Sequence, residues 1–153
     1  MSEYHKIKNM TDLQVAYFAG LLDGEGCVRI GTFKNSAGKL RYRAHVVVGM
    51  TDIRPINWLY EHIGGHIYVD KKLRKKGSKL CFCWNINASE TAAVLTRALP
   101  LLLVKHNQAE NVLAFVQTLR KKKGPRELAP AVLDMRKKLF LVSKSLNQKG
   151  RAA

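Results

Sequence analysis

The sequence predicts a single α+β domain in which helices cover one face of an antiparallel sheet. Three observations support this fold class. The predicted elements run in the order α, β, β, α, β, β and then helices, both strand pairs alternate polar with apolar residues, and the composition shows no second block. At 153 residues, of which 46% are hydrophobic, the chain can bury a core without disulfides or a structural metal. We therefore expect one domain over residues 1–153.

The first predicted helix covers about residues 11–24. The segment TDLQ, from Thr11 to Gln14, has the spacing of a capping box, and the residues that follow are apolar nearly all round up to Leu22. Such a helix must be covered on several sides, and glycines end it. Three of its residues are small enough to let another helix approach closely, namely Ala16, Ala19 and Gly20.

Two strand pairs follow this helix. CVRIGTFKN is joined to LRYRAHVVVGM through the turn NSAGK, and GHIYVDKKL is joined to KLCFCWNIN through the basic hairpin tip KKLRKKGSK. Alternation along each strand separates an apolar face from a polar one, and helices on the apolar face leave the other free. The residues that we expect on this free face and at its tips are Arg29, Lys34, Arg41, Arg43, His45, His66, Tyr68, Asp70, Lys71, Lys79 and Asn85.

The remaining segments are predicted helices. DIRPINWLYEHIGG separates the two strand pairs, and Pro55 is tolerated in its first turn. A helix from about Ser89 to Leu99 is broken at Pro100, and we expect C-terminal helices over about residues 101–147. The last of these carries an apolar stripe at helical spacing, formed by Leu128, Val132, Met135, Leu139 and Val142.

The charge of the chain predicts a polyanionic partner. Lys and Arg total 27 against 11 Asp and Glu, a formal net charge of +16. Nucleic acid is the first candidate and an acidic membrane surface the second. The donors, acceptors and aromatic ring of the free face suit base edges, and the lysine-rich tips suit phosphates. A merely solvated polar face is the alternative, and the runs Lys121–Lys123 and Lys137–Lys138 either contact phosphates or are simply solvated.

Targeting signals are not evident. The longest apolar runs fall far short of the ~20 residues that span a bilayer, and the N-terminus MSEYHKIKNM lacks a signal-peptide core. The three cysteines form neither a disulfide framework nor a zinc-ligand spacing. We therefore expect an intracellular protein with no membrane partner, working in the cytoplasm of a prokaryote or in an organelle that encodes it.

Two acids break the local electrostatic rule. In LLDGEG, Asp23 and Glu25 lie at the C-terminal end of the first helix, where the helix dipole disfavours each acid by about 0.3 to 1 kcal/mol. A divalent cation would make this cluster tolerable, and carboxylate oxygens with the carbonyl of Gly24 form a hard-oxygen set that suits magnesium. A solvated acidic turn is the alternative interpretation.

These residues carry a family resemblance. FAGLLDGEG, from Phe18 to Gly26, resembles the nine-residue signature of the LAGLIDADG homing endonucleases, and LPLLLVKHNQAENVL resembles a segment of the small single-motif members. The resemblance implies the αββαββα LAGLIDADG endonuclease fold with a concave antiparallel DNA-binding sheet. It also implies a magnesium-dependent double-strand break in a long pseudo-palindromic DNA site. One motif per chain implies a homodimer, joined through the helix that contains Ala16, Ala19 and Gly20.

The same resemblance assigns roles to single residues. The metal-binding acid of the family falls on Glu25, where Asp is commoner, and Gly24 offers its carbonyl. Asp23 matches the earlier acid of the motif, with a mainly structural role. The active-site lysine aligns with Lys105 and the basic residue of the second helix with Arg54. The implied catalytic set is therefore Glu25, Lys105, Arg54 and Asp23.

One family position and two other functions stay open. The polar residue that orders water would fall near Met50, which cannot do so, so either the alignment shifts by one or Thr51 substitutes. A maturase that binds its intron RNA would use the same basic sheet. A DNA-binding regulator without nuclease activity is a third possibility. The presence of both Glu25 and Lys105 favours an active enzyme.

Overall fold

The computed structural model describes residues 3–71, 76–119 and 128–148. Within these ranges it contains six α-helices, four strands and a short 3-10 turn at Leu99–Leu101. In chain order the elements are α1 (Glu3–Asn9), α2 (Asp12–Glu25), β1 (Gly26–Lys34), β2 (Leu40–Met50), α3 (Ile53–His62), β3 (His66–Asp70), β4 (Cys81–Asn85), α4 (Ala88–Ala98), α5 (His106–Gln117) and α6 (Pro130–Leu146).

The four strands form one antiparallel sheet, which confirms the predicted fold class. The strand order is β1-β2-β4-β3, so the two hairpins meet through β2 and β4. One face packs against the helices and contributes side chains such as Val28, Val46 and Trp84 to the core. The opposite face carries the residues of the other parity, in register pairs such as Arg29 with His45.

Helix α2 begins as its sequence predicts. The Thr11 hydroxyl accepts from the Gln14 amide at 3.2 Å, and the Gln14 side chain accepts from the Thr11 amide at 2.9 Å. The helix runs one residue past the expected end at position 24. Gly26 then leads directly into β1, and a Cβ there would lie 2.4 Å from the Leu22 carbonyl oxygen. Glycine is therefore required where the helix passes into the strand.

The amino-terminal helix α1 is absent from the sequence prediction. It buries Ile7 and Met10 in the common core, and the guanidinium of Arg97 donates to the Ile7 carbonyl at 2.7 Å. Because α1 is one short helix of 7 residues, its sequence alone carries a weak periodic signal.

The apolar stripe predicted for the last helix is only partly buried, with Leu139 packed against the core. Met135 is 51% exposed, and Val142 is also exposed, whereas Arg136 is only 6% exposed and Ser143 is buried. The Ser143 hydroxyl accepts from the Ile30 amide at 2.8 Å, and the Asn147 amide donates to the Val28 carbonyl at 3.2 Å. The helix therefore turns polar groups inward because it covers the open edge of β1, whose backbone groups need partners.

The structure also corrects the expected start of the C-terminal helices. Residues 102–105 are not helical, and α5 begins only at His106. The lysine run Lys121–Lys123 and residues 72–75 of the basic hairpin tip lie outside the described residues. No helix of the described ranges is long and apolar enough to cross a membrane.

Candidate functional site

Asp23 joins two parts of the chain that are far apart in sequence. Its carboxylate accepts three backbone N–H groups, from Leu103 at 2.8 Å, Val104 at 3.1 Å and Lys105 at 2.9 Å. These amides precede α5, where backbone donors lack helical partners. The charged acceptor therefore holds the segment 103–105 against the last turn of α2, and it explains why α5 starts at His106.

Lys105 is brought to the end of α2 by this contact. Its side chain is half-buried, and it makes no ion pair within the described residues. Its neighbour His106 is engaged locally, with Nδ1 at 3.1 Å from the Leu99 carbonyl and Nε2 at 3.4 Å from the Glu110 carboxylate. Lys105 thus has its backbone at the end of α2 and a side chain without an ion-pair partner among the described residues.

Glu25 and Gly24 are exposed at the same end of α2. The last carbonyls of a helix have no intrahelical partner, so they remain acceptors, and the Glu25 carboxylate has no hydrogen-bond partner within the described residues. Both donors are hard oxygens of the kind that magnesium prefers. No group of three or more His, Cys, Asp or Glu in the described ranges could hold a metal. One chain therefore fits part of a magnesium site, and further ligands would have to come from elsewhere.

Arg54 lies in the first turn of α3, apart from the contact between Asp23 and Lys105. Asp52 caps this helix by accepting from the Arg54 amide at 2.9 Å, and it also accepts from Nε of the Arg54 guanidinium at 3.0 Å. These hydrogen bonds lower the pKa of Asp52 to about 2. The pair borders a shallow surface groove shared with Tyr17 and Trp58. In this structure the predicted catalytic arginine thus contacts Asp52.

Met50 is the last residue of β2, and Thr51 is the first residue after it. Met50 packs against the core, whereas Thr51 is exposed in the loop before α3. The register pairs Gly26 with Val48, so Thr51 lies three residues beyond the partner of Gly26. The hydroxyl of Thr51 is therefore the polar group of this loop nearest in sequence to the predicted position.

The free face of the sheet carries the strand residues that alternation predicts. Register pairs place His66 beside Asn85, Tyr68 beside Cys83, and Arg29 beside His45. Lys34 has the parity of the core residue Ile30, so it belongs to the hairpin tip and not to the face itself. The other members are on the face or just beyond a strand end: Arg41, Arg43, Asp70, Lys71 and Lys79.

A small polar cluster lies on the β1–β2 hairpin. Nε of Arg43 donates to Nε2 of His45 at 2.9 Å. Burial, followed by the positive charges of the nearby Arg29 and Arg43, lowers the pKa of His45 to about 4. His45 is therefore a neutral acceptor at neutral pH. Gly31 makes room for it, since a Cβ at this position would lie 2.7 Å from Cδ2 of the His45 ring.

A second cluster on the free face escaped the sequence prediction. Burial raises the pKa of Tyr68, and the neighbouring Cys83 adds to this rise. The sulfur atoms of Cys81 and Cys83 each lie 3.4 Å from the position that a Cβ on Gly49 would take. The alternation of β4 does predict both thiols on one face, but only the register pairs Cys83 with Tyr68 and Cys81 with Asp70.

Helix α2 also has an exposed apolar side. Leu13 is 84% exposed, and a Cβ added to Gly20 or Gly24 would meet nothing within 4 Å. Ala16 is exposed on this side, but Ala19 is only 1% exposed and packs in the core. The prediction that Ala19 faces a partner helix is therefore wrong, because this residue lies on the inner side of α2.

The segment held by Asp23 extends this exposed apolar surface. Leu103 is 88% exposed and Val104 is also exposed. Apolar side chains exposed together on a helix and its adjoining loop are typical of interaction surfaces.

Solved structures share this fold over most of the chain. The homing endonuclease I-CvuI, in complex with its target in the presence of calcium, is 23% identical, with a TM-score of 0.71 over 93% of this chain and 87% of that chain. The archaeal intron-encoded homing endonuclease I-Vdi141I, complexed with DNA, is 18% identical, with a TM-score of 0.72 over 92% of this chain and 87% of that chain.

A third structure matches across slightly less than half of its own length. The I-SmaMI LAGLIDADG homing endonuclease, bound to cleaved DNA, is 15% identical, with a TM-score of 0.66 over 90% of this chain and 45% of that chain. A scan of protein-family models finds no match, and a search of curated protein sequences finds none either.

Proposed function

From the LAGLIDADG homing endonuclease fold of this chain, we propose that the protein is a site-specific DNA endonuclease. It makes a magnesium-dependent double-strand break in a long pseudo-palindromic site as a homodimer. One observation carries the proposal. The three hydrogen bonds of Asp23, which lies two residues from Glu25 in sequence, hold the backbone of Leu103, Val104 and Lys105 at the last turn of α2. The net charge of +16 also favours DNA as the partner.

Each residue at the end of α2 has a chemical role in this proposal. The carboxylate of Glu25 and the carbonyl of Gly24 would hold a magnesium ion, which would supply Lewis-acid polarisation and an acidified water when bound. The ammonium of Lys105 stabilises negative charge that develops on the scissile phosphate. Thr51, exposed in the loop before α3, would order water there. Asp23 acts on the reaction through Lys105 and touches no substrate itself.

Arg54 would contact the DNA backbone in this proposal. Its present partner is the exposed carboxylate of Asp52, and the Arg54 side chain is 87% exposed. Ion pairs between fully exposed groups contribute little, because water and salt screen them. A phosphate can therefore replace the carboxylate at little cost.

The free face of the sheet binds the major groove in this proposal. Its arginines, histidines and Asn85 offer donors and acceptors to base edges, and Lys34, Lys71 and Lys79 at the strand ends reach phosphates. Two such sheets, related by a two-fold axis, would contact a long target with related half-sites.

The exposed side of α2 supports a dimer. A glycine inside a helix costs about 0.5 to 1 kcal/mol relative to alanine, yet no atom of the described residues lies within 4 Å of a Cβ added at Gly20 or Gly24. Close approach of a second α2 would require both, with Ala16 on the same side. The I-SmaMI chain is about twice as long as the part that matches here, as expected if one chain there does the work of two here.

The test is a cleavage selection from a large randomised duplex library with magnesium. The wild type should recover one long, two-fold-related site. Glu25→Gln should bind that site and leave it uncut, whereas the matched control Glu61→Gln, an exposed glutamate of α3, should cut it normally.

Two outcomes would contradict the proposal. Cleavage by Glu25→Gln at the wild-type rate would refute the assigned mechanism. Binding of duplex DNA without any cleavage would favour the regulator, and tight binding to intron RNA without DNA cleavage would favour the maturase.

A further inference from the structure

We propose that Arg43, held by His45, reads a guanine at one position in each half of the DNA target. The inference rests on the proposed function and adds the identity of a base. It starts from the polar cluster of Arg43, His45 and Gly31 on the free face of the β1–β2 hairpin.

The guanidinium of Arg43 is held on one side only. Nε donates to Nε2 of His45 at 2.9 Å, and Cζ lies 5.7 Å from the centroid of the Phe33 ring. These contacts restrict the side chain and occupy one of its five N–H groups. The two terminal nitrogens, Nη1 and Nη2, keep their four N–H groups without a partner in the described parts of the chain.

His45 can hold Arg43 because it is neutral. An acceptor at Nε2 requires the ring proton to be on Nδ1, and burial beside Arg29 and Arg43 keeps the imidazole unprotonated at neutral pH. A protonated imidazole would donate at both nitrogens and repel the guanidinium.

Gly31 provides the space for this arrangement. It is the register partner of Arg43, and a Cβ at this position would lie 2.7 Å and 2.8 Å from two atoms of the His45 ring. The His45 ring packs over the backbone of β1 at Gly31. In this position its Nε2 can accept from Nε of Arg43 and orient the guanidinium. Glycine at this site is thus explained by the position of His45.

The free end of Arg43 matches one base in the major groove. Guanine presents two neighbouring acceptors, O6 and N7, which the two terminal nitrogens of an arginine can contact together. Adenine presents a donor beside N7, so the same fork would meet a repulsive group. Because Arg43 pairs with Gly31 within the β1–β2 ladder, it lies on the proposed groove surface, where base edges are read.

The experiment is a binding selection with the full-length chain, using a randomised duplex library with divalent metal chelated. The wild type is compared with Arg43→Lys, which keeps the charge but lacks the fork, and with His45→Ala. The matched control is Arg41→Lys, on the same face of β2, whose guanidinium already donates to the Leu40 carbonyl at 2.9 Å. Circular dichroism verifies that each variant is folded.

The expected result is specific to one position. The wild type selects guanine there, and Arg43→Lys loses roughly 5-fold to 150-fold in affinity for the guanine-bearing site while losing preference only at that position. His45→Ala weakens the guanine preference at the same position. Arg41→Lys leaves the guanine preference at this position unchanged, and any effect it has on binding falls elsewhere in the site.

Other results overturn the inference in distinguishable ways. A uniform loss of affinity for all sequences in Arg43→Lys would identify a phosphate contact, which refutes guanine reading and leaves the proposed function standing. Selection of a base other than guanine at the position that depends on Arg43 would also refute it. Failure of the wild type to bind any duplex DNA would overturn the proposed function together with this inference.

Discussion

Replacing Asp23 should lower both stability and cleavage rate. The carboxylate accepts three backbone N–H groups from the segment 103–105. Loss of a side-chain cap costs about 0.5 to 2 kcal/mol, and hydrogen bonds to charged groups contribute about 1.5 to 3 kcal/mol each where they are buried. Because two of the three bonds are solvent-exposed, we expect Asp23→Ala to cost about 2 kcal/mol of unfolding free energy. Asp23→Asn keeps one neutral acceptor and should cost about 1 kcal/mol.

Urea unfolding measures the first effect, and single-turnover cleavage of bound DNA measures the second. A displacement of about 1 Å in a catalytic group can reduce a rate by about 100-fold. We therefore expect Asp23→Asn to cleave bound DNA about 10-fold to 100-fold more slowly, with little change in affinity. Asp134→Asn, at an exposed position of α6, is the matched control.

The reasoning would be refuted by a clear pair of results. If Asp23→Ala unfolds at the same urea concentration as the wild type and cleaves bound DNA at the same rate, the three hydrogen bonds neither stabilise the fold nor position Lys105. A loss of affinity with an unchanged cleavage rate would assign Asp23 to DNA binding instead.

Three further predictions follow from the structure. Gly26→Ala places a Cβ against the Leu22 carbonyl and should cost about 1 to 3 kcal/mol in urea unfolding; wild-type stability would show that the backbone adjusts freely. Ala16→Leu should give monomers in sedimentation equilibrium while the exposed control Ala131→Leu does not, and a dimer in both variants would exclude this side of α2. Lys79→Ala should reduce the magnitude of the log-log salt slope of DNA binding by roughly 0.9, and an unchanged slope would remove Lys79 from the phosphate contacts.

Part of the molecule follows from short stretches of sequence. The capping box at Thr11 starts α2, and the turn NSAGK joins β1 to β2 with Gly38 at a φ of +72°. Alternation along β2 puts Arg41, Arg43 and His45 on one face. These features depend on residues within a few positions of one another, so they can be predicted from the sequence without knowledge of the fold.

Helical periodicity was less successful at predicting which residues of α6 and α2 are buried. The apolar stripe of α6 indicated Met135 and Val142 as inner residues, but the helix buries Ser143 and Arg136 instead. Ser143 satisfies the Ile30 amide at the edge of β1, and Arg136 donates to the hydroxyl and the carbonyl of Thr118. An apolar side chain can do neither. In α2, Ala19 is buried in the core and Ala16 is exposed, although the sequence pattern groups both as small residues suited to helix contact.

The sequence by itself therefore determined the order of elements from α2 to α4, the polar face of the sheet and the acids at the end of α2. Local sterics, alternation and capping decide these features. Only the tertiary structure decided that Asp23 holds amides 80 to 82 residues away and that His45 lies over Gly31 to hold Arg43. Such contacts depend on strand register and helix packing, which bring together side chains that no spacing along the chain relates.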